Sequence, residues 1–341
     1  MVQTFRDGAS IPEDSPKPEQ GQISLRELDN LNSLLLSVAI PAYNRPAWFE
    51  RALKSVVSTP LAAQQQVEII VSDDSTSPDC KAVFEVCMTD WHGPHHYQAN
   101  VPSLGMAANW NNCIRLASGK YLLILHDDDY LEPNAVSQIF KAIQQFSDYG
   151  ALLFGVNVVT SKGRIKKRQH FRQRQYLSRE AALKAVLYNS SFVRFPGIVL
   201  RHDVFEQVGY FDGSVGGIAD IHLWVRVFNT FGVLCLPMTT ANYTVHPNAL
   251  TMNMFNEAVL QELVTLFDWV ESQQWFDSET FEYCKANYFH QFILAGTVRY
   301  LRLGKLRQAK QVLNLFGELD IQRKRTDRKW KLIRLVLSSV L

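Results

Sequence analysis

The chain has 341 residues, of which 47% are hydrophobic, so it can bury a substantial core as one large domain or two modest ones. This composition excludes wholesale disorder and a fibrous architecture. Lys and Arg number 35 and Asp and Glu number 33, which gives a net charge of +2. The charge is uneven, because residues 301–341 carry +8 and the remaining 300 residues carry −6. A basic tail on an acidic body predicts an anionic partner for the tail.

No segment of the sequence resembles a secretion signal or a membrane span. Residues 1–33 are polar, contain proline and acidic residues, and lack the apolar stretch of a signal peptide, which predicts a flexible leader. No apolar run reaches the roughly 18 residues that a spanning helix requires. The five cysteines form neither a CxxC pair nor a zinc-spaced cluster, as is typical of free thiols in a reducing compartment. We therefore expect a cytoplasmic protein.

Strand and helix patterns alternate along the first two thirds of the chain. Apolar strands are predicted at residues 34–40, 67–71 and 120–125, with amphipathic helical stretches between them. This alternation predicts an α/β fold with a mainly parallel sheet flanked by helices. All three strands end in polar clusters, and ligands bind such sheets at the carboxyl ends of the strands. From about residue 250 the pattern turns helical, so we predict an α/β domain over residues 34–250 and a helical C-terminal region over residues 251–341.

The strongest chemical signal is Asp127-Asp128-Asp129, which follows the apolar strand at residues 120–125. Ionised neighbours repel, so the triplet is costly without a cation. Mn²⁺ or Mg²⁺ would compensate, because these ions prefer oxygen ligands. The alternative is a solvated acidic turn at the start of the helix that Pro133 opens.

The order and spacing of several motifs carry a resemblance to a known family. Ser-Val-Ala-Ile-Pro-Ala-Tyr-Asn-Arg at residues 37–45 closes the first strand, and Glu-Ile-Ile-Val-Ser-Asp-Asp-Ser at residues 68–75 closes the second. Asn100, Gly105, Asn109 and Asn111 then precede the acidic triplet. Over residues 34–250 the chain resembles the family 2 glycosyltransferases of the GT-A fold. The resemblance implies a site for a nucleotide-diphosphosugar, with a UDP-sugar favoured.

The resemblance also implies roles for the residues of the motifs. The loop Pro41, Ala42, Tyr43, Asn44 and Arg45 would pack against the nucleobase and ribose. Tyr43 would stack on the base, although ordinary packing in the core is its alternative reading. Asp73 or Asp74 would accept hydrogen bonds from the base, and Asn109, Asp127 and Asp128 would complete the donor site.

The metal would bridge the donor phosphates at the acidic triplet. Asp128 and Asp129 are expected to lie closest to it. If Pro133 is instead aligned with the usual downstream proline of the family, His126 pairs with Asp128. His246 resembles a late histidine of the family that helps to bind the metal or the diphosphate, and an exposed loop histidine is the alternative.

Asp220 stands in the place of the family's general base, which would take the proton of the acceptor hydroxyl and so invert the anomeric centre. In the family a Glu-Asp pair often occupies this place, whereas here Ala219 precedes Asp220. Without the resemblance, Asp220 would be read as a helix N-cap or first-turn acid.

Two basic segments remain. The run at residues 162–179 holds eight basic residues and no acid, which favours either a solvated hairpin or an attraction for a phosphate-bearing acceptor. Residues 323–337 mix basic, aliphatic and aromatic residues, which is typical of a segment that lies on an anionic membrane surface. A helix that packs on the body is the alternative, and nucleic-acid binding is disfavoured because no accompanying motif is present.

Taken together, the sequence predicts a metal-dependent, inverting glycosyltransferase that acts on a glycan or lipid-linked acceptor. Bacterial surface polysaccharide synthesis at the inner face of the membrane is the expected setting. The departure at Ala219 supports a different hypothesis, a catalytically inactive, nucleotide-binding scaffold of GT-A type. A nucleotidyltransferase is disfavoured, because the Gly-rich phosphate loop and lysine expected of one are missing.

Overall fold

The computed structural model describes residues 34–246, 254–319 and 325–341, so the predicted leader at residues 1–33 lies outside the described residues. The strands are β1 Leu36–Ala42, β2 Val67–Asp73, β3 His95–Ala99, β4 Tyr121–Ile124, β5 Tyr130–Leu131, β6 Ala151–Thr160, β7 Ile165–Gln169, β8 Gln175–Leu177, β9 Ile198–Arg201 and β10 Val233–Val245. The helices are α1 Pro46–Val57, α2 Leu61–Gln64, α3 Asp79–Met88, α4 Met106–Leu116, α5 Ala135–Gln145, α6 Arg179–Tyr188, α7 Val204–Val208, α8 Ala219–Phe231, α9 Glu257–Ser272, α10 Ser278–Arg302, α11 Leu306–Asn314 and α12 Arg328–Val340.

One sheet runs through the molecule in the order β3-β2-β1-β4-β9-β6-β10-β5, with β7 beside β6 and β8 beside β10. Its first half is parallel, from β3 to β4, and the second half is mixed. Ala42 at the end of β1 pairs with Asp73 at the end of β2, and Ala39 pairs with Ile124 at the end of β4. The carboxyl ends of the three predicted strands therefore lie along one edge of the sheet.

Alternate side chains of the central strands enter two hydrophobic cores. Leu36, Val38 and Ile40 of β1 join the core beneath α1, α3 and α5, whereas Ala39 joins the core on the opposite face. That second core also contains residues of α4, α6, α8 and the C-terminal helices. The C-terminal helices thus pack on the sheet and its helices, and the predicted boundary at residue 250 lies outside the described residues.

A buried polar link fixes the start of β4 against β1. Glu68 accepts hydrogen bonds from the Ser37 hydroxyl at 2.6 Å and from the Ser118 amide at 2.8 Å. The Gly119 amide donates to the same Ser37 hydroxyl at 2.8 Å, and a Cβ on Gly119 would lie 2.6 Å from the Ser37 nitrogen. Glycine is required here because the two strands approach so closely.

The last helix, α12, is held at its start by Asp327. The hydroxyls of Tyr188 and Tyr283 each donate to this carboxylate at 2.5 Å, and the Asp327 amide donates to Asn287 at 3.1 Å. Leu337 is buried on the inner side of the helix. The side chains of the outer side, called the aliphatic face below, are 53% to 69% exposed: Leu332, Leu335, Val336 and Val340. Packing on the body therefore accounts for only one side of α12.

Among the described residues, every helix is too short or too polar to span a bilayer.

Candidate functional site

The loops after β1 and β2 are tied together by Asn44. This residue has a left-handed backbone, with φ of 52°, a conformation that asparagine adopts more readily than most side chains. Its amide donates to the Ser75 hydroxyl at 2.8 Å, and its side-chain oxygen accepts from the Thr76 amide at 2.8 Å. The two polar clusters predicted from the sequence therefore form one continuous surface.

Pro41 and Ala42 lie in β1 and are buried, so the strand runs two residues beyond its predicted end. A proline fits this central strand because β4 pairs with β1 only as far as Ala39. Tyr43 is 52% exposed, which argues against its alternative reading as a core aromatic residue. Five residues of this segment were predicted to contact the nucleotide. Of these, Tyr43, Asn44 and Arg45 are at least partly exposed at this edge of the sheet.

Arg45 connects this loop to the acidic triplet. Its guanidinium forms ion pairs with Asp127 at 2.8 Å and with Asp128 at 2.7 Å. The Tyr43 amide donates to Asp127 at 3.0 Å. Burial raises the pKa of Asp127 to about 7, even with Arg45 beside it. Both oxygens of Asp127 are thus engaged by the loop after β1, so this carboxylate anchors the loop.

His246, at the end of β10, contacts the second member of the triplet. Its Nε2 lies 2.9 Å from Oδ2 of Asp128, and its ring packs against Trp48 at a centroid distance of 4.6 Å. Burial pushes the pKa of Asp128 upward, but two nearby histidines and Arg45 outweigh burial and hold it below its ordinary value. His246 is only 6% exposed, so the alternative of an exposed loop histidine is wrong.

Asp129 is buried and retains an unused oxygen. Its Oδ1 accepts from the Thr244 amide at 2.7 Å, whereas its Oδ2 has no hydrogen-bond partner among the described residues. Burial, together with the neighbouring carboxylates, holds the pKa of Asp129 well above its ordinary value. A buried polar atom without a partner is costly, and a bound cation would remove that cost.

His126 completes a group that could hold a metal ion. One ligand atom each of His126, Asp128 and Asp129 lies within 4.8 Å of the others. The His126 ring stacks on Trp110 at 5.3 Å and lies 4.2 Å from Phe195. Burial lowers the pKa of His126 to about 4, so its imidazole is neutral at pH 7, the form that binds metals. Two carboxylates, one of which has an oxygen without a partner among the described residues, and a neutral imidazole fit a divalent cation. The group combines Asp128 and Asp129 of one predicted alignment with His126 of the other.

The two carboxylates at the end of β2, Asp73 and Asp74, differ in how many hydrogen-bond acceptor sites remain for a ligand. Asp74 accepts four hydrogen bonds of 2.8–3.1 Å, from Asn100, Ser103, Leu104 and Gly105. A carboxylate has about four acceptor sites, so Asp74 is fully used in shaping the segment before α4. Asn109 lies in the same buried network, where it accepts from Asn100 at 3.1 Å and donates to the Ala42 carbonyl at 3.5 Å.

Asp73, by contrast, keeps acceptor capacity. It accepts one hydrogen bond from the Ser75 amide at 2.9 Å and a short one from the Tyr97 hydroxyl. About two of its four acceptor sites therefore remain. Of the two alternatives that the sequence left open for the base contact, Asp73 is the one with sites to spare.

Asp220 is the second residue of α8, and Ile218 occupies the N-cap position. Of the alternative reading, the N-cap half is wrong, but Asp220 is an acidic residue of the first helical turn. Its Oδ1 accepts from the Ile221 amide at 2.8 Å. Burial raises the pKa of Asp220 to about 6, with Arg194 acting in the opposite direction. The residue as a whole is half-buried.

Two arginines of this region were not predicted from the sequence. Arg51 donates to the Asp128 carbonyl at 2.6 Å and to the Thr244 hydroxyl at 3.0 Å, which joins α1 to the acidic triplet and to β10. Arg194 lies over the ring of Tyr243 at 4.6 Å. The signal that could have found Arg194 is its position as the single charge in the apolar run at residues 192–199. Arg51 has no such signal, because it stands among other charges on an amphipathic helix.

Comparison with known proteins agrees with this geometry. The profile described as Glycosyl transferase family 2 matches residues 37–209, just over half of the chain. An uncharacterised protein of Mycobacterium tuberculosis is 28% identical over 60% of this chain and 65% of its own length. The GalNAc(5)-diNAcBac-PP-undecaprenol beta-1,3-glucosyltransferase of Campylobacter jejuni is 27% identical over 57% of this chain and 59% of its own. The match thus spans less than two thirds of the length of both relatives.

Solved structures resemble the fold at low sequence identity. The mannosyltransferase PcManGT from Pyrobaculum calidifontis, in complex with GDP-Man and Mn²⁺, has a TM-score of 0.52 at 13% identity and covers 89% of this chain and 79% of its own. Residues 1–349 of TarS from S. aureus, in complex with UDP-GlcNAc, have a TM-score of 0.50 at 16% identity and cover 83% of this chain and 92% of their own. The prediction of an α/β fold of GT-A type is confirmed. Since the family profile spans more than half of the chain, the protein belongs to glycosyl transferase family 2.

Proposed function

We propose that the protein is a metal-dependent, inverting glycosyltransferase that moves a sugar from a nucleotide-diphosphosugar to an acceptor hydroxyl. The observation that carries this proposal is the unpaired oxygen of Asp129, which is grouped with Asp128 and His126 after β4. The exposed Tyr43 directly follows β1, and Asp73, which keeps acceptor sites, is the last residue of the neighbouring strand β2. One edge of the sheet therefore offers groups for a base and groups for a metal diphosphate.

Asp73 would accept a hydrogen bond from the nucleobase, and Tyr43 would stack on it. A UDP-sugar is favoured because a uracil imide N–H suits a carboxylate acceptor. TarS in complex with UDP-GlcNAc and PcManGT with GDP-Man guide the choice of donors to be tested.

His126, Asp128 and Asp129 would hold Mn²⁺ or Mg²⁺. When bound, the ion would act as a Lewis acid that stabilises charge on the departing nucleoside diphosphate. His246 orients Asp128 through their 2.9 Å contact, so we assign it an indirect role at the metal.

Asp220 would act as the general base. Its carboxylate takes the proton of the acceptor hydroxyl, whose oxygen bonds to the anomeric carbon as the bond from that carbon to the diphosphate breaks. The leaving group departs on the opposite face, which inverts the centre. Ala219, where the family often has a second acid, favours the second candidate function, a nucleotide-binding scaffold without turnover.

The acceptor is proposed to be a glycan or a lipid-linked sugar in bacterial surface polysaccharide synthesis. The names of two relatives support this setting, the Campylobacter jejuni glucosyltransferase with its PP-undecaprenol acceptor and abequosyltransferase RfbV of Salmonella typhimurium, which is 24% identical over 59% of this chain. We place the protein in the cytoplasm, on the inner face of the membrane.

The contact with the membrane is proposed to be made by α12. Its aliphatic face is open to solvent, and Arg328, Lys329 and Lys331 on the same helix are also exposed. Exposed aliphatic side chains flanked by cations suit an anionic lipid surface. Arg323 and Lys324 of the predicted segment lie outside the described residues.

Turnover of a nucleotide-sugar panel tests the proposed function. With Mn²⁺ present, we expect release of nucleoside diphosphate from UDP-sugars in preference to GDP- or dTDP-sugars. Removal of the metal with EDTA should lower turnover by at least about 100-fold, and Mn²⁺ should restore it, because a metal supplies several kcal/mol of charge stabilisation. Binding of UDP by calorimetry with no turnover of any donor would favour the scaffold instead.

The pH dependence of kcat/KM tests the role of Asp220. Because the base must be ionised, and burial raises its pKa to about 6, activity should fall as the pH drops below about 6. Asp220→Asn should lower kcat by about 10²- to 10⁴-fold, leave UDP affinity unchanged, and remove this acidic limb from the residual rate. The exposed Asp90→Asn is the matched control. An unchanged limb in Asp220→Asn would assign it to another group.

Vesicle co-sedimentation tests the membrane surface. We expect binding to anionic vesicles that weakens with salt, and at least about tenfold weaker binding for Leu332→Asn/Leu335→Asn, which removes apolar side chains from the aliphatic face. Leu61→Asn/Leu306→Asn is the control, because both side chains are similarly exposed but lie outside α12. Equal binding of the intact protein to neutral and anionic vesicles would contradict the claim that the cations of α12 attract anionic lipids.

A further inference from the structure

A pocket of about 590 Å³ adjoins the carboxylate site. His246 forms part of its lining, and the same imidazole lies 2.9 Å from Asp128. The other walls come from β7, from Ser190 and Ser191, and from α10 and α12. The pocket therefore connects the candidate metal group with the C-terminal helices.

The charged lining of this pocket is entirely basic. Lys166, Arg299 and Arg302 line it, and among the described residues no Asp or Glu does so. Burial lowers the pKa of Arg299 and of Lys167, and the nearby Arg194 lowers both further. The Nε of Arg194 is buried without a hydrogen-bond partner in the described chain. Lys167 and Arg194 do not line the pocket, but Arg194 lies close enough to add to the positive potential at Arg299. Cations close together repel one another, so the site favours an anion.

The rest of the lining is largely apolar. Leu294 and Val298 contribute from α10, and Trp330 and Ile333 contribute from α12. The same helix α12 carries the aliphatic face that we propose to contact the membrane. The apolar wall of the pocket and the membrane-binding surface are thus two sides of one helix, an arrangement that suits a ligand with a hydrocarbon chain.

We propose that this pocket binds the acceptor, and that the acceptor is a lipid that carries a phosphate or diphosphate group. The inference rests on the proposed glycosyltransferase function and adds the position and chemical class of its second substrate. Lys166, Arg299 and Arg302 neutralise the phosphate through charge-assisted hydrogen bonds. The apolar wall covers the part of the chain nearest to the phosphate, while the sugar of the acceptor lies toward His246.

A phosphate group reaches this region in either of two substrates, the donor or the acceptor. The lining favours the acceptor for two reasons. The donor diphosphate would be held by the metal ion that His126, Asp128 and Asp129 would bind, and a nucleotide has no hydrocarbon chain to occupy the apolar wall. The experiment must therefore separate a lipid phosphate from both the donor and free phosphate.

Calorimetry with octyl phosphate as the probe makes this separation on the full-length protein. We expect octyl phosphate to bind in the presence of saturating UDP and Mn²⁺, and to bind more tightly than inorganic phosphate or octyl glucoside, which lack the chain and the charge respectively. The lining variant, Lys166→Ser/Arg302→Ser, changes two exposed positions of the pocket lining. It should raise the Kd of octyl phosphate at least about tenfold without changing the Kd of UDP. Lys162→Ser/Arg307→Ser removes two exposed cations outside the pocket and should leave both constants within about twofold.

Four results would overturn the proposal. Displacement of octyl phosphate by UDP and Mn²⁺, or an equal loss of UDP affinity in the lining variant, would assign the cations to the donor. Equally tight binding of inorganic phosphate would contradict the claim that the ligand is a lipid. An unchanged Kd for octyl phosphate in the lining variant would contradict the claim that the ligand binds in this pocket. This readout requires no sugar transfer, so failure of the donor panel and failure of the acceptor site are distinguishable.

Discussion

Three adjacent carboxylates cannot all stay ionised at the buried end of a strand unless donors or cations surround them, and the loops on this side of the sheet meet that requirement only in part. Arg45 and the Tyr43 amide engage Asp127. Arg45 also reaches Asp128, and the Thr244 amide reaches Asp129. These contacts tie the ends of β1 and β10 to the end of β4. Oδ2 of Asp129 has no hydrogen-bond partner among the described residues, and a divalent cation bound there would supply the missing compensation.

A group of charges of the opposite sign lies near the same carboxylates. His246 contacts Asp128 of the acidic triplet and also lines the pocket whose charged residues, among those described, are all basic. The helix α12, which also lines this pocket, carries the exposed aliphatic face. A donor from solution and an acceptor from a lipid surface would thus bind in regions of different chemistry. Asp220, the proposed base, lies close enough to Arg194 for the positive charge to lower the pKa of its carboxyl group.

Local patterns predicted much of this arrangement. The strands and the polar clusters at their ends are short-range features, so the shared edge and the acidic triplet could be predicted from alternation and composition. The different roles of Asp73 and Asp74 could not be predicted, because Asp74 is occupied by four hydrogen bonds from residues 26 to 31 positions away. The burial of His246 against Trp48 and the position of Arg194 also depend on contacts between distant parts of the chain. The same limit applies to α12, since its amphipathic sequence alone did not reveal which side would remain exposed.

The most direct test of this account is the affinity for Mn²⁺, measured by electron paramagnetic resonance in the presence of UDP. We expect Asp129→Asn, which keeps the shape of the side chain but removes its charge, to weaken Mn²⁺ binding by at least about tenfold. The exposed Asp90→Asn should bind the ion as the unmodified protein does. Equal Mn²⁺ affinity in Asp129→Asn and the unmodified protein would contradict the claim that the buried carboxylates after β4 hold the metal.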